Sequence, residues 1–265
     1  MLPDIQDEFD PRGIALHRVG IAGVRYPTRF YDGETEQSGV ANFDIAVGLD
    51  AHRRGTHMSR MVSVIHETLS EVDPRTLPVT LKAAAIRLGA SEVEVQVALP
   101  VATQVISPVS EHLSWQTSDL RLRATWRSET CRVESSVTSE VTSLCPCSKA
   151  ISDYGAHNQR SAVEVTTAGH GDDCYPLAFG RAVELIRQAG SCPIYPLVKR
   201  PDERVITMEA FEHPLFVEDM ARDLSIRLRT RRLEHTVRVR NFESIHSHDA
   251  VAEVQWSPQV ERENR

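Results

Sequence analysis

Apolar and polar positions along the first half of the chain follow two periods. Near alternation predicts strands over residues 17–26 and 39–49. The period then changes to steps of three and four residues, which predicts a helix with one buried face. The apolar positions of that helix are Met58, Met61, Val62, Ile65 and Leu69. The rest of this half is predicted to form a helix over 77–88 and strands over 92–99 and 119–126.

The same order of elements recurs in the second half. Its predicted members are strands over 131–141 and 161–167, helices over 176–189 and 214–230, and strands over 235–241 and 250–256. Strands joined by short turns must be antiparallel, and the paired helices can bridge the middle strands on one face. The pattern therefore predicts an α+β fold of two tandem ββααββ units with antiparallel sheets. An ordinary two-domain α+β protein is the alternative.

Domain boundaries follow from this doubling. We expect a flexible N-terminal tail over 1–14, a first unit over 15–130, a second unit over 131–258 and a C-terminal tail over 259–265. A four-stranded unit with one helix-covered face keeps two open edges. Neighbouring copies would complete such edges, so an oligomer that closes a barrel is expected.

Composition and charge narrow the function. The 265 residues carry a formal net charge of −7, which disfavours a nucleic-acid partner because phosphate binding needs a surplus of Lys and Arg. A phosphorylated small molecule needs only a local cationic patch. The acidic N-terminus does not resemble a secretory signal, and the sequence has no apolar run of 18 residues, so we expect no membrane association. Five cysteines make an odd count, which favours a reducing cytoplasm over a disulfide framework.

The densest chemical signal is Cys145-Pro146-Cys147, followed ten residues on by His157. Thiolates and imidazoles are typical ligands of zinc and iron. Two cysteines that flank one proline point in different directions, so a shared ion is not expected. One could bind a metal while the other serves as an acid, base or hydrogen-bond donor, and Lys149 or a metal would favour the thiolate. Packing of both cysteines in a loop is the alternative.

A second cluster, residues 243–249, contains Glu243, His246 and His248. These side chains could converge on an ion or transfer protons, although polar turn residues also explain the string. Two further segments are basic: Lys199 and Arg200 precede the acid Glu203, and residues 53–60 open a predicted helix. Helix N-termini attract phosphate, but a solvated turn or simple helix capping explains these segments equally well.

Together these motifs resemble one family. Four motifs follow one another along the chain, at residues 55–60, 144–149, 155–160 and 243–246. As a set they are similar to the type IB GTP cyclohydrolases, the prokaryotic first enzymes of folate biosynthesis. The resemblance extends from about His17 to Trp256. It implies the tunnelling fold, in which tandem ββααββ units assemble into barrels in a homotetramer. It also implies hydrolysis of GTP to 7,8-dihydroneopterin triphosphate and formate with a divalent metal, Zn²⁺, Mn²⁺ or Fe²⁺.

The resemblance also implies roles for single residues. Cys145 and His157 would bind the metal, Glu203 would be the carboxylate ligand, and Glu243 and His246 are rivals for that place. Cys147 and His248 would transfer protons, and Glu218 would anchor the guanine edge. The triphosphate would be held by basic side chains, namely His57, Arg60, Lys149, Arg160, Lys199 and Arg200.

Three alternatives stay open. A nitrile reductase of the same superfamily would use a cysteine nucleophile on a deazaguanine and would need a nicotinamide cofactor, but it gives no purpose to a metal-binding His157. A thiolate metal store would bind an ion without turnover. An archaeal-type cyclohydrolase would release a cyclic phosphate instead of the linear triphosphate.

Overall fold

The computed structural model describes residues 5–258 and has a mixed α+β fold with a large, mostly antiparallel sheet. The strands, in chain order, are β1 Leu16–Tyr31, β2 Glu36–Leu49, β3 Glu71–Val72, β4 Glu92–Ile106, β5 Leu113–Arg127, β6 Thr130–Leu144, β7 Asn158–His170, β8 Cys192–Pro193, β9 Glu234–Asn241 and β10 Ala250–Trp256. The α-helices are α1 Met58–Thr68, α2 Leu77–Leu88, α3 Pro146–Ile151, α4 Phe179–Arg187, α5 Arg200–Glu212 and α6 Val217–Thr230. Within the described residues no helix has the length and apolar character needed to cross a membrane.

Described residues fall into two compact units that share the four long strands β4 to β7. The first unit comprises 5–99, 121–135 and 168–176, and the second comprises 100–120, 136–167 and 177–258. The predicted N-terminal tail over 1–14 is described only from residue 5. There Ile5–Asp7 form a short 3-10 helix, and Phe9 stacks on His52. The predicted C-terminal tail over 259–265 lies outside the described residues.

In the first unit the strand order is β3-β1-β2-β4-β5-β6. β1 pairs antiparallel with β2 and parallel with the short β3, and β2 pairs antiparallel with β4. Helices α1 and α2 bury their apolar faces in this unit, as the three- and four-residue spacing predicts. The buried helix residues are Met61, Val64, Ile65, Leu77, Leu81, Ala84, Ala85 and Leu88. Helix α2 ends at Gly89, whose φ of 60° is the left-handed conformation that suits a glycine C-cap.

In the second unit β6, β7, β9 and β10 follow one another, and β8 pairs with β6. Helix α6 packs against β9 and β10 through a buried stripe. That stripe consists of Val217, Met220, Ala221, Leu224 and Leu228. The other face of these strands is exposed and carries cross-strand ion pairs, such as those of Arg238 with Glu164 and Glu253. One face of the sheet is therefore covered by helices and the other is polar.

Each strand and helix predicted from the sequence is present, and the second half contains more than the pattern predicted. Helices α3 and α5 were not predicted. Helix α5 occupies the basic segment for which a solvated charged turn was one alternative, and Asp202 fixes its first turn. The Asp202 carboxylate accepts hydrogen bonds from the backbone N–H groups of Val109, Ser110 and Lys199 at 2.8 Å each. Burial alone would raise the pKa of Asp202, but these bonds and the Ser110 hydroxyl outweigh it and hold the pKa below its ordinary value.

Candidate active site

A tight turn between β6 and α3 presents the two motif cysteines differently. Cys145 is the N-cap of α3, and Pro146 occupies the first helical position, where a missing N–H costs nothing. The Cys145 sulfur accepts a hydrogen bond from the Ser148 N–H at 3.4 Å. Cys145 is half-buried while Cys147 is exposed, so the two thiols differ in their access to solvent.

His157 lies beside this turn. The Cys145 N–H donates to the His157 carbonyl at 3.1 Å, and the His157 N–H donates to the Ser148 hydroxyl at 3.1 Å. Its imidazole Nδ1 is 2.8 Å from the side-chain oxygen of Gln159 and 3.9 Å from a carboxylate oxygen of Glu243. Only 12% of the His157 side chain and 10% of the Glu243 side chain are exposed. A backbone hydrogen bond thus joins the residue that carries the thiol to the residue that carries the imidazole, and the Glu243 carboxylate lies beside that imidazole.

These three groups fit a divalent metal by their chemistry, since sulfur, nitrogen and oxygen donors together suit zinc and iron. Their arrangement does not by itself form a complete metal site. Across residues 5–258, His, Cys, Asp and Glu side chains do not converge in a group of three or more that could hold an ion. Cys145 and His157 supply a sulfur and a nitrogen donor, and Glu243 contacts His157 at Nδ1. The carboxylate or imidazole that would complete a metal site with them stays a prediction.

The other expected ligands and proton-transfer groups are exposed. His246 and His248 stack their rings with centroids 5.3 Å apart in the loop between β9 and β10. That loop is anchored where the Phe242 N–H donates to the Arg160 carbonyl at 2.9 Å. Glu203 lies in the first turn of α5 and is exposed. All three belong to the second unit.

Glu218 is placed in the first turn of α6 and is exposed. Its neighbour Asp219 caps the helix by accepting from the Phe216 N–H at 3.1 Å, so capping does not require Glu218. The Leu215 N–H donates to the Leu144 carbonyl at 3.0 Å. This bond attaches the beginning of α6 to the end of β6, directly before Cys145.

The predicted triphosphate contacts lie on several different elements, four of them in the second unit. Lys149 donates to the Phe211 carbonyl and lies 4.3 Å from the centre of that ring, so it is engaged within the protein. Arg160 forms an ion pair with Glu140 at 3.1 Å. Lys199 and Arg200 are exposed at the N-terminus of α5.

Two further basic residues, His57 and Arg60, belong to the first unit. His57 is the N-cap of α1, with its Nε2 3.7 Å from an Asp7 carboxylate oxygen, and Arg60 is exposed on the first turn of that helix.

Sequence reasoning missed the polar side chains that support His157. Gln159 belongs to the motif at residues 155–160 but was given no role, although it stands two residues after His157 at the beginning of β7. Residues two apart on a strand share a face, and this spacing was the available signal. Gln159 in turn contacts Ser143 and Ser244, which lie far from it in the sequence and gave no such signal.

The chain has a mixed α+β fold, and the motif residues Cys145 and His157 lie half-buried in its second unit. Comparison with known proteins shows the class of protein to which this fold and motif belong. The family model for type I GTP cyclohydrolase folE2 matches residues 2–252. A protein named GTP cyclohydrolase FolE2 from Methylococcus capsulatus is 41% identical over 254 residues, which cover 95% of this chain and 93% of that protein. A protein of the same name from Bordetella petrii is 40% identical over 265 residues, with 96% of each chain covered. The chain belongs to the type I GTP cyclohydrolase FolE2 family.

Proposed function

We propose that this protein is a GTP cyclohydrolase that converts GTP into 7,8-dihydroneopterin triphosphate and formate, the first step of tetrahydrofolate biosynthesis. The observation that carries the proposal is the family match over nearly the whole chain. The contacts of His157 are a further support, because its carbonyl accepts from the Cys145 N–H and its imidazole lies 3.9 Å from the Glu243 carboxylate.

The reaction balances as two hydrolytic steps and one condensation. Water adds to C8 of the guanine imidazole ring, and the ring opens to a formamide. A second water releases formate from that formamide. The ribose then rearranges and recloses onto the free amine as the pterin ring, with loss of one water. Protons must move at each stage, which requires groups that both donate and accept them.

Cys145 and His157 would hold a divalent metal, Zn²⁺, Mn²⁺ or Fe²⁺, with a carboxylate or imidazole from Glu243, Glu203 or His246. When bound, such an ion lowers the pKa of water so that attack on C8 becomes feasible at neutral pH. The protein's own part is to orient the ligands. The hydrogen bond from the Cys145 N–H to the His157 carbonyl keeps the two ligand-bearing segments together.

Other residues would bind and move protons. Exposed Cys147 and His248 would deliver and remove protons at the reacting ring. The Glu218 carboxylate would accept two hydrogen bonds from N1 and N2 of guanine. The triphosphate would be held by a cationic set, namely His57, Arg60, Lys149, Arg160, Lys199 and Arg200, for which Lys149 and Arg160 must first leave their present partners.

For the assembly we propose the tunnelling fold, with tandem ββααββ units over 15–130 and 131–258 that form barrels in a cytoplasmic homotetramer. The doubled order of elements supports this. So does the position of β10, which ends the strand order and would need a neighbour to pair its outer edge.

The experiment is a GTP assay with purified protein and Mn²⁺, Zn²⁺ or Fe²⁺ in turn, with product masses measured. The expected products are formate and linear 7,8-dihydroneopterin triphosphate. A cyclic phosphate of the pterin would indicate the archaeal-type reaction. Consumption of NADPH with a deazaguanine nitrile would indicate the reductase. Metal binding without any product would indicate a metal store and contradict the proposal.

A further inference from the structure

Four buried polar side chains lie behind His157, and we refer to them as the Ser143 network. They are Ser143 on β6, Gln159 and Ser161 on β7, and Asn241 on β9, neighbouring strands of the second unit. Their exposed fractions are 0%, 8%, 0% and 3%, respectively. Burying polar groups of this kind costs free energy unless each one is hydrogen-bonded. Which group donates and which accepts in each bond therefore determines how the two amide side chains are oriented.

Ser143 fixes those directions. Its hydroxyl has a single hydrogen, which it donates to the Leu215 carbonyl at 3.4 Å. Its lone pairs accept from the side-chain N–H groups of Gln159 at 3.3 Å and Asn241 at 2.9 Å. The other end of Asn241 agrees, because its side-chain oxygen accepts from the Ser161 hydroxyl at 2.6 Å. Both amides therefore point their nitrogen toward Ser143.

The orientation of Gln159 decides the state of the His157 imidazole. With its nitrogen on Ser143, Gln159 presents its oxygen to His157 Nδ1 at 2.8 Å. An oxygen accepts and cannot donate, so Nδ1 must carry the ring proton of the neutral imidazole. The Glu243 carboxylate, 3.9 Å from Nδ1, favours the same arrangement. The lone pair is then on Nε2.

We propose that the Ser143 network positions His157 for metal binding: Gln159, held by Ser143 and Asn241, fixes the Nδ1–H tautomer and directs Nε2 to a divalent ion. Metal-binding histidines commonly donate their second ring N–H to an oxygen, and loss of that partner costs about 10–100-fold in metal affinity. Gln159 is a positioning residue that acts through His157. The inference rests on the proposed function for its purpose, but its test does not depend on turnover.

The test compares Gln159→Leu with Gln116→Leu. Gln116 is also 8% exposed and accepts one short hydrogen bond from Arg187 at 2.6 Å, so it is a matched control for loss of a buried amide. The tautomer is read by ¹⁵N NMR of the metal-free protein, and affinity by titration with Co²⁺ alone. We expect the wild-type protein and Gln116→Leu to show the Nδ1–H tautomer and equal affinity. Gln159→Leu should populate the Nε2–H tautomer and bind Co²⁺ about 10–100-fold more weakly.

Two further variants separate positioning from folding. In a His157→Ala background, Gln159→Leu should weaken Co²⁺ binding no further, because its effect passes through the missing imidazole. If Gln159→Leu fails to fold, Ser143→Ala provides the test. It removes the oxygen that accepts from the Gln159 side-chain N–H, so Gln159 can turn its nitrogen toward His157, and the tautomer should shift in the same direction to a smaller extent.

Three results would overturn the inference. These are an unchanged His157 tautomer and Co²⁺ affinity in Gln159→Leu, an equal loss in Gln116→Leu, and an added loss of affinity in the His157→Ala background. Failure of the proposed function is a separate result, since a wild-type protein that produces no pterin can still show the tautomer and the Co²⁺ response.

Discussion

The hydroxyl of Ser143 is predicted to contribute more to stability than an ordinary buried serine. In Ser143→Ala, the side-chain N–H groups of Gln159 and Asn241 both lose their acceptor in a fully buried place. An unsatisfied buried donor costs about 1–3 kcal/mol. The 2.9 Å bond belongs at the upper end of that range and the 3.3 Å bond at the lower end.

The expected loss in the free energy of unfolding is therefore about 4 kcal/mol. For a protein of this size, that corresponds to a Tm lower by about 8–16 °C. Urea unfolding followed by circular dichroism gives the free energy, and calorimetry gives the Tm.

Ser139→Ala is the matched control. Ser139 lies on the same strand and face, four residues earlier, is 2% exposed, and accepts one hydrogen bond from the Ser118 hydroxyl at 2.9 Å. Its loss should cost about 1 kcal/mol. Equal destabilisation by the two substitutions would refute the reasoning, because it would mean that Ser143 satisfies no more than one buried partner.

Three further predictions concern the core, pH and thiol reactivity. Leu224→Ala should lower the free energy of unfolding by about 2–5 kcal/mol in urea titrations, because Leu224 is fully buried on α6. Burial lowers the pKa of His235, so the unfolded state binds its proton more readily than the folded state. The His235 contribution to stability is complete above its unfolded pKa of about 6.5 and is lost as the pH falls below it, which urea midpoints across that range would show. Cys147 is exposed, while burial raises the pKa of Cys131 to about 11 and of Cys192 to about 12. Iodoacetamide should therefore modify Cys147 first, which mass spectrometry of the labelled protein would show.

Each of these has a control. Ile226→Ala lies on the same helix at 58% exposure and should change stability by less than about 0.5 kcal/mol; a loss equal to that of Leu224→Ala would contradict the packing of α6. A His235→Asn variant should lose the acid-side slope, and an unchanged slope would place its origin elsewhere. Modification of Cys192 before Cys147 under native conditions would contradict the burial of β8.

The spacing of apolar residues predicted those helices and strands well that have one apolar face. The three- and four-residue spacing gave α1 and α2 almost residue by residue. Strand β4 was predicted too short, over 92–99, because Pro100 interrupts a pattern that in fact continues to Ile106. Helix α5 has a largely polar surface with few buried residues, so its amphipathic signal is weak. Its first turn is fixed by contacts with residues 109 and 110, which are distant in sequence.

The candidate site was predicted in part for the same reason. Cys145 and His157 are twelve residues apart, and their motif could be recognised from the sequence alone. The contacts of His157 with Glu243 and Ser244 depend on the pairing of strands from separate parts of the chain. No spacing rule gives such contacts. Nor does sequence reveal the hydrogen-bond direction in the Ser143 network, which requires counting the single hydrogen of one buried hydroxyl.

The central claim is that Cys145 is required for hydrolysis of GTP at C8. The most direct measurement is formate released per GTP by the wild-type protein, Cys145→Ala and Cys192→Ala, each supplied with Mn²⁺, Zn²⁺ or Fe²⁺. Cys192 is a buried thiol on β8 and serves as the control for loss of a cysteine. We expect one formate per GTP from the wild-type protein and Cys192→Ala, and none from Cys145→Ala. Undiminished formate release by Cys145→Ala would contradict it.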